Sequence, residues 1–385
     1  MHDKTIVIGA DVVPTKTNEK FFKDGDAEHL LGKELLDILD AADFTILNLE
    51  TPLTDTVSEI RKCGPCLRAS SDTIYGLKRI NSHLYTLANN HILDQDVQGL
   101  FSTMQCLEGH DIAYAGVGAS LEEASKPYIV ELGGVSIGVY CCTEHEFSIV
   151  TENRAGANPY DPLYSFDHVR ELKSKVDLVI VLYHGGKEHY RYPSPELRRT
   201  FRKFAECGAD YVIAQHTHCI GCMEQYLENT LIYGQGNFLF DHSESEFWKT
   251  SLLLKININE DKTHSIQILP LVKKGECVRL AAGDVKKEIY DEFKHRSEQI
   301  REPGFIENQY RKFAEEYLPE YLGTFSGIKR SLLHRVINKL SGYRYEKWQM
   351  NRKYDSDKLV GIEDFIECEA HRELLLEGIR RSVEK

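Results

Sequence analysis

The chain has 385 residues, 42% of them hydrophobic, which suits one large core or two smaller ones and excludes a disordered chain. Its formal net charge of −13 excludes a general nucleic-acid surface, because phosphate backbones require clustered Lys and Arg. No apolar run reaches the ~20 residues of a membrane span, and Met1-His-Asp-Lys carries no signal-peptide pattern, so a soluble, cytoplasmic protein without a transmembrane segment is expected.

In chain order, Thr5–Ile8 reads as a buried strand leading to Asp11, and Glu28–Ala42 as an amphipathic helix with Leu30, Leu31, Leu35, Leu36 and Leu39 on one side. Phe44–Leu47 is a second strand, leading to Glu50. Helix Ile74–Ile80, strand Leu84–Leu87, helix Val97–Leu107 and strand Val135–Cys141 follow. Thr143–Tyr164, with Gly156, Pro159 and Pro162, reads as a loop near a site. Alternation resumes with helix Asp167–Lys175, strand Leu178–Leu182, helix Pro195–Cys207 and strand Tyr211–Ala214. Strands Thr230–Tyr233 and Leu252–Ile258 come next, with Gly234–Asn237 as a turn between them. Beyond about residue 280 only charged helical patterns occur, at Lys286–Arg301, Gln309–Tyr317, Ile328–Leu340 and Ile362–Val383. The reading is therefore an α/β domain over 1–280 and a helical appendage over 281–385, where His295, His334 and His371 sit on solvated helix faces.

Five strand-like runs end on metal-ligand types: Asp11, Glu50, Asn90 with His91, His184, and His216 with His218. In an open α/β sheet the loops at the carboxyl ends of strands converge on one crevice, so these residues are expected to meet. Taken singly, Asp11 and Glu50 could also be turn or helix caps, and Asn89-Asn90-His91 a turn. His184 before Gly185-Gly186 could be an ordinary buried histidine. His216-Thr-His218 is the strongest local signal, since alternate residues of an extended chain point the same way. Imidazole, carboxylate and amide oxygen without thiolate favour one or two divalent ions of Mn, Zn or Fe.

Two cysteine pairs have CxxC spacing, Cys63-Gly-Pro-Cys66 and Cys219-Ile-Gly-Cys222. The first matches the thioredoxin tetrapeptide, which should open a helix directly after a strand; here it follows the loop-like Thr51–Lys62. A four-cysteine zinc site is the other alternative, and reduced, incidental thiols are the expectation.

Together Gly-Ala-Asp11, Asn48-Leu-Glu50, Ala88-Asn-Asn-His91, His184-Gly-Gly with Glu188, Gln215-His-Thr-His218 and Tyr233-Gly-Gln-Gly-Asn237-Phe-Leu-Phe240 resemble, in order, the CapA-like capsule and poly-γ-glutamate synthesis proteins, over roughly residues 4 to 258. The resemblance implies a calcineurin-like metallophosphoesterase fold, a layered αββα arrangement. It implies a metal shell of Asp11, Glu50, Asn90, His184, His216 and His218, with Glu50 bridging. His91 would be the acid or electrostatic partner of the leaving oxygen, and Asn48, Asn89, Glu188 and Asn237 would lie at the substrate. The family's opening Asp-x-His is absent: Asp11 is followed two residues later by Val13.

The function so implied is metal-dependent phosphoester hydrolysis in capsule or exopolymer metabolism, with metal-activated water as nucleophile. Alternatives are a low-turnover accessory factor that binds an anionic polymer at the metal site, and a metal-dependent amide hydrolase. Expected partners are a small-molecule or anionic polymer substrate, and polymer-synthesis proteins docking through the helical C-terminal region, which would also allow a peripheral membrane location.

Overall fold

The computed structural model describes residues 3–241, 244–327, 337–342 and 344–383. Strand alternation sorts the buried side chains into three apolar layers. Val7, Leu47 and Tyr85 point to one face of the first sheet and meet Leu30, Leu35 and Leu39 with Leu77, Leu100 and Leu107 from its covering helices. Their neighbours Ile6, Ile8, Ile46 and Leu84 point the other way, against Ile137, Val139, Ile180, Leu182 and Ile213 of a second sheet. That sheet's far face, with Val179, Val181, Val212 and Ala214, is covered by Val169 and Leu172 of one helix and Leu197, Phe201 and Phe204 of another. The order helix, sheet, sheet, helix makes this the layered αββα fold, with two sheets where the sequence pattern suggested one open sheet.

The first sheet has the order β16-β15-β14-β1-β2-β3-β4, with β13 also paired to β1. Its members are β1 (Lys4–Val13), β2 (Phe44–Leu49), β3 (Leu84–Thr86), β4 (Ala113–Ala115), β13 (Asn237–Phe240), β14 (Thr250–Ile258), β15 (His264–Lys274) and β16 (Cys277–Leu280). The second has the order β11-β12-β10-β9-β7-β6. It comprises β6 (Tyr128–Leu132), β7 (Val135–Thr143), β9 (Leu178–His184), β10 (Tyr211–Gln215), β11 (Met223–Tyr226) and β12 (Asn229–Ile232). Short strands β5 (Val117–Gly118) and β8 (Gly156–Ala157) pair separately.

Three expectations change. The helix expected over Glu28–Ala42 is two helices, Ala27–Leu31 and Lys33–Asp40. Gly32 between them has φ +72°, and Arg279 donates to the carbonyls of His29 (2.8 Å) and Leu30 (2.9 Å), ending the first helix. A Cβ on Gly32 would stand 2.8 Å from Arg279 Cδ, so only glycine fits. The turn expected at Gly234–Asn237 ends earlier, because Asn237 already begins β13.

The helix Gly283–Gln299, grouped by its charge with the C-terminal region, buries Ile289 and Phe293 in the layer between the sheets. The first compact unit accordingly runs Met1–Ile306 and the second Glu307–Lys385. The second contains helices Arg344–Lys353, Ser356–Glu367 and Glu369–Val383. Most of the Ile328–Leu340 pattern, with His334, lies outside the described residues; His295 and His371 are exposed. Among the described residues no helix is long and apolar enough to cross a membrane.

Candidate metal centre

Strand ends from both sheets build the site. In β1 the register shifts between Ile8 and Asp11, and past this bulge Asp11 lies opposite Asn48 of β2 and Asn237 of β13. Gly9 occupies the kink, where a Cβ would stand 2.5 Å from Leu47 Cδ2. In the other sheet His184 ends β9 opposite Gln215, which ends β10. Gln215 Nε2 donates to the Gly9 carbonyl and Gln235 Nε2 to the Ile8 carbonyl, each at 3.1 Å, so two buried amides tie the sheets together beneath the site.

After Gln215 the chain is not extended, as the His-Thr-His spacing suggested. His216 and His218 have φ of +88° and +53°. For non-glycine residues this region costs roughly 1–3 kcal/mol each, and such strain persists only where the surroundings enforce it. Both imidazoles enter the site from this turn.

Glu50, wholly buried, is the centre of the constellation. Its Oε1 lies 3.1 Å from His184 Nε2 and 3.9 Å from His216 Nδ1. His184 Nε2 is also 3.1 Å from Asn90 Oδ1. On the other side Asp11 Oδ2 accepts from the His216 N–H (3.3 Å) and lies 3.7 Å from His218 Nδ1. Ligand atoms of Glu50, His184 and His216 fall within 4.8 Å of one another, as do those of Asp11, Glu50 and His218, and Glu50 belongs to both groups. Despite the close approach of His184, neither Glu50 oxygen receives a well-formed hydrogen bond, nor does His216 Nδ1 have one. Buried polar atoms are rarely left so, and three orphaned donor atoms between two ligand groups are what a divalent-cation site presents.

The electrostatics agree. Burial, then the charge of Glu50, pushes the Asp11 carboxyl well above its usual range. Burial opposes ionisation of Glu50 too, but the imidazoles of His184, His216 and His218 outweigh it and hold that carboxyl well below its usual range. Burial lowers His184 to about 4. For His216 the burial effect is overcome by Glu50, with Glu188 and Glu146 adding to it, and the group rises to about 9. Glu50, aided by Glu188 and Glu146, thus draws a proton onto His216, while the charge of Glu50 opposes ionisation of the equally buried Asp11. Since desolvating an ion costs several kcal/mol, the pair calls for compensating positive charge, which a dication supplies.

The remaining candidates divide. Asn90 is oriented by Glu146, whose Oε2 accepts from Nδ2 at 2.8 Å and leaves Oδ1 toward His184. Asn237 Oδ1 accepts from His218 Nδ1 at 2.8 Å, so it positions a histidine. Asn48 and Asn89, expected at the substrate, are fully buried and saturated by the scaffold. Asn48 Nδ2 donates to Asp11 Oδ1 (2.8 Å), while Asn89 Nδ2 donates to the Leu49 carbonyl (2.8 Å) and its Oδ1 accepts from the His91 N–H (3.1 Å). That leaves them no group for a ligand. The Glu188 side chain is 44% exposed at the rim, its Oε1 3.9 Å from His216 Nε2. His91 Nδ1 lies 2.5 Å from Asp94 Oδ2 and 3.2 Å from Lys62 Nζ, and Lys62 also pairs with Asp94. Val13 packs with Phe240 and Trp248, so the place of the absent Asp-x-His imidazole is apolar.

Sequence reading missed Asp94, Lys62, Glu146 and Gln235. Asp94 had a signal, standing three residues after His91; Lys62 and Glu146 come from irregular loops and had none. All ten cysteines are free thiols, and among the described residues no candidate metal cluster includes either CxxC pair.

A family model described as bacterial capsule synthesis protein PGA_cap matches residues 5–242, more than half the chain. The PGA biosynthesis protein CapA of Bacillus subtilis (strain 168) is 27% identical over 243 residues, covering 61% of this chain and 62% of that protein. A Mycobacterium tuberculosis protein named "Probable polyglutamine synthesis accessory protein" is 26% identical over 251 residues, covering 60% of this chain and 66% of its own. The chain thus spans less than two thirds of each relative's length. A crystal structure of a Mycoplasma pneumoniae phosphatase aligns with TM-score 0.44 and 14% identity over 71% of this chain and 95% of its own.

Proposed function

We propose that this chain, which belongs to the bacterial capsule synthesis protein family, is a metal-dependent hydrolase of the phosphoester class. The observation that carries this reading is Glu50: a fully buried carboxylate with both oxygens unbonded, standing between two groups of ligand atoms. Asn90, His184 and His216 would hold one cation with Glu50, and Asp11 and His218 a second. Borderline donors without thiolate suit Mn, Zn or Fe. A divalent cation there would polarise phosphoryl oxygens and make water a competent nucleophile at neutral pH.

The chain's own residues supply the rest. Asp94 accepts from His91 Nδ1, orienting the ring and supporting the imidazolium form, whose Nε2–H would give a proton to the departing oxygen. Lys62 braces that pair. Glu188 at the rim repels a second anion and favours a single terminal group. Given relatives named for PGA and capsule biosynthesis, the substrate would be an anionic polymer or a small precursor. The helical unit Glu307–Lys385, with Phe365, Leu374 and Ile379 exposed, would meet the polymer-synthesis machinery, in the cytoplasm or at the membrane periphery.

Val13 favours a second reading, an accessory factor that holds a polymer end at the same centre with little turnover. The test is phosphomonoester and phosphodiester hydrolysis with added Mn or Zn, comparing His91→Ala and His216→Ala. Turnover lost in both supports the hydrolase. Turnover indifferent to both, or no bound metal, contradicts it, and saturable polymer binding without turnover identifies the accessory factor.

A further inference from the structure

We propose that Cys63 and Cys66 form a reversible disulfide that controls the position of the His91–Asp94 pair. The tetrapeptide Cys63-Gly-Pro-Cys66 is bracketed by two residues that both grip Asp94. Lys62, with only 2% of its side chain exposed, pairs with the Asp94 carboxylate and sits 3.2 Å from His91 Nδ1. Leu67, immediately after Cys66, donates its backbone N–H to Asp94 Oδ2 at 2.6 Å. A third clasp comes from Ile60, whose N–H donates to the Asp94 carbonyl at 3.2 Å and whose own carbonyl accepts from Cys66 Sγ at 3.3 Å. A displacement of the backbone between residues 62 and 67 therefore reaches the carboxylate that orients His91.

The two thiols suit an attacking and resolving pair. Cys63 is the one exposed cysteine of the chain, and Cys66 is partly buried. Between them Gly64 has φ +86° with open space around it, so the apex can tighten without a clash. The segment is irregular backbone, neither following a strand nor opening a helix, so it lacks the setting of a dithiol catalyst and its oxidation acts on this chain alone.

A low-molecular-weight disulfide such as glutathione disulfide is the oxidant. The Cys63 thiolate attacks one of its sulfurs, forming a mixed disulfide and releasing one thiol. Cys66 Sγ leaves the Ile60 carbonyl and attacks Cys63 Sγ, releasing the second. The protein loses two protons and two electrons, and the oxidant gains them as two thiols. Drawing the two sulfurs to about 2.05 Å shortens the span between Lys62 and Leu67, displaces at least one grip on Asp94 and lets His91 swing.

This inference rests on the hydrolase reading only for its activity readout. The full chain is equilibrated with glutathione disulfide, alkylated and mapped by peptide mass, while the His91 ring is followed by NMR and turnover by phosphoester hydrolysis. Expected are a Cys63–Cys66 bond, a displaced His91 signal and about tenfold lower turnover, part of the 10²–10⁴ an acid contributes, all reversed by dithiothreitol. Cys63→Ser and Cys66→Ser should keep the reduced protein's His91 signal and turnover and ignore the oxidant. No Cys63–Cys66 bond, or a bond that leaves the His91 signal unmoved, overturns the proposal. A redox-dependent His91 signal in a protein that hydrolyses no ester supports the switch and removes the hydrolase reading instead.

Discussion

The two halves of the candidate metal centre share Glu50 and differ in almost everything else. Around His184 and His216, side chains from both sheets converge, and Glu146 aims Asn90 at the same point. Around Asp11 and His218, the next available position is Val13, sealed against Phe240 and Trp248. One half is a four-donor pocket; the other has three donors and an apolar wall. The difference teaches that one fold can place a four-donor group and a three-donor group a few ångströms apart, because each donor depends on its own strand end.

The largest effect expected is from Glu50→Gln or His216→Ala. Each removes a donor of the complete half, and since even outer partners of a metal site are worth 10–100-fold, losses above about 100-fold in metal affinity and turnover are expected by metal analysis and hydrolysis assay. His91→Ala should reduce turnover about 10²–10⁴-fold with metal content unchanged, which separates proton delivery from cation binding. Val13→His tests the incomplete half from the opposite direction. It should tighten binding of the second cation, seen as a rise in stoichiometry in calorimetry, while the new polar group in an apolar cluster costs about 1–3 kcal/mol of stability.

The smallest effect is in pH dependence without metal. An unfolded histidine titrates near 6.5. Burial first of all holds His184 down at about 4, so between 4 and 6.5 the unfolded chain binds more protons and stability rises with pH. His216, raised to about 9 against its burial by Glu50, binds more protons when folded between 6.5 and 9, so stability falls there. Asp11, whose carboxyl burial and Glu50 push well above its usual range, offsets the His184 rise. Melting curves in chelator should therefore show chiefly the decline between 6.5 and 9, which saturating Zn, needing His216 unprotonated, should abolish.

The donors were legible because buried strands read as apolar runs, and Asp11, Glu50, His184 and His216 each stand at or just past such a run's end. The second sheet was not legible as separate, because Val135–Thr143 and Leu178–His184 are as apolar as the strands of the first. The strand His264–Lys274, between β14 and the edge strand β16, opens by alternating half-buried with exposed residues and gave a weaker pattern. Helix Gly283–Gln299 was misgrouped because its few buried positions, Ile289 and Phe293 among them, are hidden in a charged sequence. The left-handed turn at His216 and His218 breaks the local preference of both residues, and such breaks are enforced by tertiary context that sequence does not display. Lys62 and Glu146 reach the site from loops, where residue spacing carries no geometric information.

The most direct test is metal stoichiometry by native mass spectrometry, across a titration with Mn or Zn, on the full chain and on His184→Ala. An asymmetric centre built on Glu50 gives one tightly held cation, lost in His184→Ala, and a second that appears only at higher concentration. Two equally tight cations, or none, would contradict it.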